Sequence, residues 1–255
     1  MKPESFLTPA TAIWKLGSSS EDRALDAFAI APAAAESKSA LTDMPAIAAW
    51  PWILILAGVH GDEPEGVWLV EELRTRWSTH YPFAKAGVIL WARANPDGVH
   101  RVQRWNARDV DLNRNLPTED WTAKGLNPRY PPGPAAASEP ETRALLRLLA
   151  DAAPRAILAL HSYSEYQINL NANDLADRGN LTCAWGESLA KVCGYPVTEN
   201  VGYSTPGSLG TYAGSERGIP TITLEIERDL PKETVLEKFL PVAAAAIAFW
   251  ETRVK

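Results

Sequence analysis

Two apolar runs of strand length, each ending on a histidine, set the tightest limit on how this chain can fold. The first is Ile53-Leu54-Ile55-Leu56-Ala57-Gly58-Val59-His60, followed at once by Gly61-Asp62-Glu63, and the second is Ala156-Ile157-Leu158-Ala159-Leu160-His161. Short, continuous apolar runs of this kind read as strands covered on both faces. Such strands belong to an α/β sheet with helices on both sides, in which ligands gather in the crevice beyond the carboxyl ends. Both histidines then reach one edge of the sheet, with Glu63 just past the first. Imidazole nitrogen and carboxylate oxygen suit zinc, and a catalytic zinc takes three protein ligands while one position stays open. A strand-end histidine is also a common core residue, and His-x-x-Glu arises by accident; the repeated context is what favours ligation. His60, Glu63 and His161 are the expected metal triad. Of the four histidines, the remaining two, His80 and His100, read as ordinary loop residues.

At 255 residues, with 46% hydrophobic content and ten Trp, the chain can bury one sizeable core. We expect a single catalytic domain over 1–255, with N-terminal strands and a connection in 1–50 and the core in 51–255. The fold class is α/β: one mixed, twisted sheet with helices on both faces. A formal net charge of −6 argues against nucleic acid or an anionic membrane surface as partner, since both need a basic face. The longest apolar runs, 50–59 and 239–250, fall short of the ~20 residues of a membrane helix. No secretory leader is visible in the first residues. Cys183 and Cys193 flank one expected helix, too far apart to close, so they read as reduced and buried. These features point to a soluble, cytoplasmic protein and leave a homodimer open.

Along the chain, residues 10–16 and 24–30 suit two strands joined by a polar turn, and 32–50 a surface connection. A helix is expected over 67–77, a buried strand over 87–91, and a turn at Asn95-Pro96-Asp97-Gly98. Residues 99–133 form a long polar loop rich in Arg and Asn, a length that favours function. Ser138-Glu139-Pro140-Glu141 reads as a capping box opening a helix over 141–151, which leaves Glu139 and Glu141 as plain helix-start residues. Polar chain to 178 precedes a helix over 181–192, stopped by Gly194. Tyr203 to Gly210 is a Gly/Pro/Ser loop of the sort that covers a site. The strand 221–226 contains Glu225, costly there unless paired or working. A closing helix spans 234–252.

The ordered set His60-x-x-Glu63, Asn95-Pro96-Asp97-Gly98, Asp111-Leu112-Asn113-Arg114-Asn115, His161-Ser162-Tyr163 and Thr221-Ile222-Thr223-Leu224-Glu225-Ile226 resembles the zinc carboxypeptidase family across roughly residues 50–230. Within it, Gly-Val-His-Gly-Asp-Glu-Pro-Glu-Gly, Ser-Glu-Pro-Glu-Thr-Arg-Ala-Leu and Thr-Pro-Gly-Ser-Leu-Gly look most like the bacterial murein peptide amidases. Those enzymes cut the bond between γ-D-glutamate and meso-diaminopimelate in cell-wall peptides. The resemblance implies one zinc per chain held by His60, Glu63 and His161, and Glu225 as general base. It further implies Arg104 as the carbonyl-polarising arginine, Asn113 and Arg114 as the clamp on a substrate carboxylate, and Tyr203 as a loop tyrosine closing over a small peptide. Arg101 and Arg108 compete with Arg104, and Glu227 competes with Glu225 from the same strand face. Asp111 suits either a partner for a ligand histidine's second nitrogen or a loop cap. The rival readings are a general zinc carboxypeptidase, a deacylase of N-acyl amino acids, and a non-catalytic peptidoglycan-binding module.

Overall fold

Both histidine-tipped runs become neighbouring parallel strands in the computed structural model, which describes residues 10–32, 50–80, 85–171, 181–199 and 202–253. β3 (Trp52–Leu56) lies parallel to β5 (Ala156–Tyr163), with Ile53 opposite Ala156 and Leu56 opposite Ala159. β8 (Thr221–Glu227) pairs with the other side of β5, and β4 (Gly87–Trp91) with the other side of β3, both parallel. The N-terminal hairpin of β1 (Thr11–Ser18) and β2 (Ala24–Ile30) adds antiparallel to β4. On the far edge β6 (Gln167–Asn171) runs antiparallel to β8 and carries β7 (Val197–Thr198). The result is one mixed sheet of eight strands in the order β1-β2-β4-β3-β5-β8-β6-β7, as expected for the class.

β3 shows why a continuous apolar run is needed. All five of its residues are buried, and they alternate between two cores. Ile53 and Ile55 join the face covered by α1 (Pro64–His80), α4 (Leu181–Cys193) and α5 (Lys232–Glu251), among Val70, Leu73, Trp185, Leu189, Phe239 and Ile247. Trp52, Leu54 and Leu56 join the opposite face, covered by α3 (Pro140–Ala152) through Ala144, Leu145 and Leu148. Truncating one such side chain to Ala costs about 2–5 kcal/mol. Cys183 and Cys193 are buried and not joined in a disulfide, as expected.

Several local expectations change. Asn95-Pro96-Asp97-Gly98 is a helix start rather than a turn: Asn95 caps α2 (Pro96–Arg101), its Oδ1 accepting from Gly98 N–H at 2.8 Å. Helix α1 begins at Pro64, three residues before the apolar spacing becomes visible, because proline suits the first helical position. The capping box at Ser138 does not form. The cap residue of α3 is Glu139 without a side-chain cap bond. Ser138 Oγ instead donates to Glu139 Oε1, and Glu139 and Glu141 turn inward onto Asn106 Nδ2 at 2.8 and 3.3 Å. β6 stands where polar chain was expected. The proposed connection over 33–49 and the first nine residues lie outside the described residues, as does the side chain of His80. His100 is exposed. Among the described residues, no helix is long and apolar enough to cross a membrane.

Candidate metal and peptide-binding centre

The ends of β3, β5 and β8 deliver the chemistry to one place. Past β3, Gly58 takes φ +64, and a Cβ there would meet Ala92 O at 2.8 Å; this sharp turn aims His60 back across the sheet end. Glu63 immediately precedes α1, and His161 occupies β5 directly opposite Glu225 of β8. His60 Nδ1 lies 2.8 Å from Glu63 Oε1 and 3.1 Å from His161 Nδ1, and Glu63 Oε2 lies 3.0 Å from His161 Nδ1. All three side chains are buried, and their ligand atoms fall within 4.8 Å of one another.

The chemistry of this donor set calls for a cation. Asp111 Oδ1 stands 3.2 Å from His60 Nε2, so that nitrogen carries the proton and Nδ1 presents a lone pair. Lone pairs of two imidazoles and a carboxylate then converge with no donor between them. Burial alone would push the His60 imidazolium down, yet the carboxylates of Glu63 and Asp111 outweigh it and lift the pKa to about 9. A bare proton is drawn in where a divalent ion fits. Glu63 is held well below the usual carboxylate range against its burial, chiefly by His60. Ser162 N–H also donates to Glu63 Oε2 at 3.1 Å, fixing its orientation.

Asp111, fully buried, does more than either role expected of it. Besides facing His60 it caps the short turn Leu112–Arg114 through Asn113 N–H at 2.9 Å, and it accepts from Arg104 Nε at 2.9 Å. Burial opposes the charge on Arg104, but Asp111 and Glu63 raise its pKa further. Asn113 Oδ1 accepts from Leu209 N–H at 2.9 Å, tying the turn to the Tyr203 loop. Tyr130 lies under both guanidinium groups, 4.9 Å from Arg104 and 5.0 Å from Arg114. Nothing in the sequence singled out Tyr130 except its place in the Arg-rich loop. Glu65 was missed as well: it is buried, accepts from Ser162 Oγ at 2.5 Å and from Asp229 N–H at 2.8 Å, and so pins α1 to the ends of β5 and β8.

The competing assignments separate by position. Arg101 pairs with Glu21 on the hairpin turn and Arg108 is exposed, whereas Arg104 lines the cleft beside Glu63. Glu225 lines the same cleft of about 540 Å³, with His60, Glu63, Asn113, Arg114, His161 and Tyr203; Glu227 is not among its lining residues. Burial raises the Glu225 carboxyl above its ordinary value, with His161 acting against that. Tyr203 sits at the mouth, 57% exposed, its phenol raised by the buried part of its surroundings.

A mixed sheet ending in this cluster defines a metallohydrolase of the carboxypeptidase type. The zinc carboxypeptidase family model matches residues 9–252, and the chain belongs to that zinc-dependent family of hydrolases. It is 35% identical over 202 residues to murein peptide amidase A of Vibrio campbellii, covering 73% of this chain and 75% of that one. It is 31% identical over 212 residues to murein peptide amidase A of Escherichia coli K12, covering 78% and 80%. The crystal structure of the murein-tripeptide amidase from Escherichia coli O157 superposes with a TM-score of 0.69 at 28% identity, covering 94% of this chain and 92% of that one. Thrombin-activatable fibrinolysis inhibitor, at 17% identity and a TM-score of 0.76, shares the fold.

Proposed function

We propose that this chain is a zinc-dependent amidase that hydrolyses an amide bond beside a free carboxylate, the substrate being a murein peptide cut between γ-D-glutamate and diaminopimelate during cell-wall recycling in the cytoplasm. The observation that carries the reading is the convergence of His60, Glu63 and His161 with Glu225 one strand away. The similarity to murein peptide amidases supports the substrate. The whole chain acts as one catalytic unit, and His60, Glu63 and His161 would hold one zinc ion.

Zinc in that position supplies Lewis acidity, polarising a carbonyl and bringing the pKa of water toward ~7. The rest falls to this chain's side chains. Glu225, its carboxyl raised by burial, is a better proton acceptor than an ordinary glutamate and takes the proton of the attacking water, then returns it to the leaving amine. Arg104 stays protonated and faces the oxygen on which negative charge develops. Arg114 and the Asn113 amide hold the substrate carboxylate, setting the scissile bond against the reacting water. Tyr203 closes over the bound peptide.

The test is elemental analysis of purified protein, followed by mass spectrometry of products from murein tripeptide beside C-terminal peptides and N-acyl amino acids. We expect about one zinc per chain and release of free diaminopimelate. Preference for N-acyl amino acids or ordinary C-terminal peptides would replace this substrate by a rival one, and a metal-free, inactive protein would leave a binding module.

A further inference from the structure

Asn106 follows Arg104 by two residues and Asn115 directly follows Arg114; both asparagines are fully buried. An unbroken chain of side-chain hydrogen bonds joins them. Asn106 Nδ2 donates to Glu139 Oε2 at 2.8 Å, Ser138 Oγ to Glu139 Oε1 at 2.7 Å, and Asn115 Nδ2 to Ser138 Oγ at 3.0 Å. The Glu139 N–H closes the circuit on Asn115 Oδ1 at 3.2 Å. Each amide also shapes its own end of the segment. Asn106 Oδ1 accepts from the N–H groups of Arg108 and Val110 at 3.0 and 3.1 Å, curling the chain so that Asp111 comes back beside Arg104. Asn115 Nδ2 reaches Pro132 O at 2.7 Å and Ala135 O at 3.0 Å, binding the turn that carries Arg114 to the stretch after Tyr130. Gly133, at φ +85, leaves room for this: a Cβ there would lie 2.7 Å from Ser138 Oγ and 2.8 Å from Asn115 Nδ2.

A helix start does not call for such a network. A glutamate there helps most simply by staying near the surface and facing the positive end of the helix dipole. Glu139 is instead wholly covered, and burying a carboxyl is costly unless its oxygens are engaged, as both are here. What the burial secures is the spacing of two guanidinium groups. Arg104 and Arg114 lie over one ring, that of Tyr130, at 4.9 and 5.0 Å, so a shift at either end of the segment moves one guanidinium relative to the other. A misplacement of about 1 Å in a reacting site can cost on the order of a hundredfold in rate.

We propose that Asn106 and Asn115, moored to Ser138 and Glu139, are positioning residues that hold Arg104 and Arg114 at the separation the reaction requires. The inference rests on the roles given to those arginines above, and double-variant kinetics on γ-D-glutamyl-meso-diaminopimelate tests the two separately. Asn106→Asp sets a carboxylate against Glu139 Oε2 and Glu141 Oε2, acceptor facing acceptor. With zinc content and melting temperature measured alongside, it should lower kcat roughly tenfold to a hundredfold, the range of a lost hydrogen bond to a charged group, and move KM little. In an Arg104→Ala background the same substitution should change kcat by less than about threefold, because its route to the reaction is gone. Adding Glu139→Gln to Asn106→Asp turns the bond around, the new amide donating to the new carboxylate, and should restore most of kcat. Burial already favours the protonated form of Glu141, which can donate to the same carboxylate. Ser138→Ala cuts the chain without adding charge, and its milder kcat loss should vanish in the same Arg104→Ala background. Asn115→Asp faces the carbonyls of Pro132 and Ala135 and should raise KM by about tenfold through Arg114, an effect absent from an Arg114→Ala background. Native kinetics in all three single variants would overturn the proposal, as would a kcat loss that recurs undiminished without Arg104 or that Glu139→Gln fails to restore. Native kcat and KM in Arg104→Ala and Arg114→Ala would instead overturn the roles of those arginines, and the positioning with them.

Discussion

Asp111→Asn is the sharpest single perturbation, because one buried carboxylate serves three functional residues at once. Its Oδ1 faces His60 Nε2 at 3.2 Å and Asn113 N–H at 2.9 Å, while Oδ2 takes Arg104 Nε at 2.9 Å. An asparagine keeps the shape and one acceptor. If its oxygen stays on His60 and Asn113, its NH₂ points at the Arg104 donor, and two donors at hydrogen-bond distance repel. Arg104 is 82% covered, so it loses a charge-assisted bond of about 1.5–3 kcal/mol without full rescue by solvent. The His60 imidazole also becomes a weaker base, and loss of such an outer partner lowers metal affinity roughly 10–100-fold. Added to a displaced polarising cation, worth on the order of 10²–10³ in kcat, the expected phenotype is compound. Zinc competition against a chromophoric chelator should weaken by one to two decades, about 1.4–2.7 kcal/mol, and kcat at saturating zinc should still fall by roughly a hundredfold or more. A variant with native zinc affinity and native kcat would refute the idea that Asp111 organises this centre.

Glu225→Gln should lower kcat by about 10²–10⁴ while bound zinc, measured by elemental analysis, stays at the native level; full activity would move the base elsewhere. Glu141, whose buried carboxyl is pushed up to about 6 from an ordinary 4.5, gives a pH signature in stability. Its contribution is complete below pH ~4.5, where the proton is bound in both states, and is lost as pH rises through ~6. Glu141→Gln should therefore match the native protein at pH 4 and exceed it by about 1–2 kcal/mol at pH 8 in urea unfolding; a flat difference across that range would refute it. Gly61→Ala places a Cβ 1.9 Å from the Gly98 carbonyl carbon. Because both partners are backbone, the loop and α2 must separate, and we expect a loss of about 3 kcal/mol by the same measurement, with kcat lowered through the displaced Arg104.

The sheet and the convergence of His60, Glu63 and His161 were legible because they rest on strong, redundant signals. β3 and β5 need apolar residues on both faces, and each run leads into a histidine at the carboxyl end of the sheet. β6 escaped notice for the opposite reason: Gln167, Asn169 and Asn171 alternate with Ile168 and Leu170, so half of a short strand is polar and reads as loop. Gln167 and Asn169 line the cleft, where a polar wall overrides strand propensity. The Ser138 capping box failed because Asn106, 33 residues earlier, offers its amide to Glu139 and Glu141, a long-range partner that no local pattern reveals. Arg104 could not be told from Arg101 and Arg108 by spacing alone. What places Arg104 in the cleft and Arg101 on the hairpin turn is where Asp111 and Glu21 lie, and those contacts belong to the tertiary structure.

His161 and Glu225 are cross-strand neighbours in the interior of the sheet, whereas Tyr203 belongs to the connection that precedes the helical turn Gly210–Ser215. On the proposed roles, the spacing of the hydrolytic residues is dictated by the amide pairing of β5 with β8, which an exchange of loop residues leaves in place. A scaffold divided in this way can exchange the residues of the loop that carries Tyr203 without re-inventing the spacing of the hydrolytic pair.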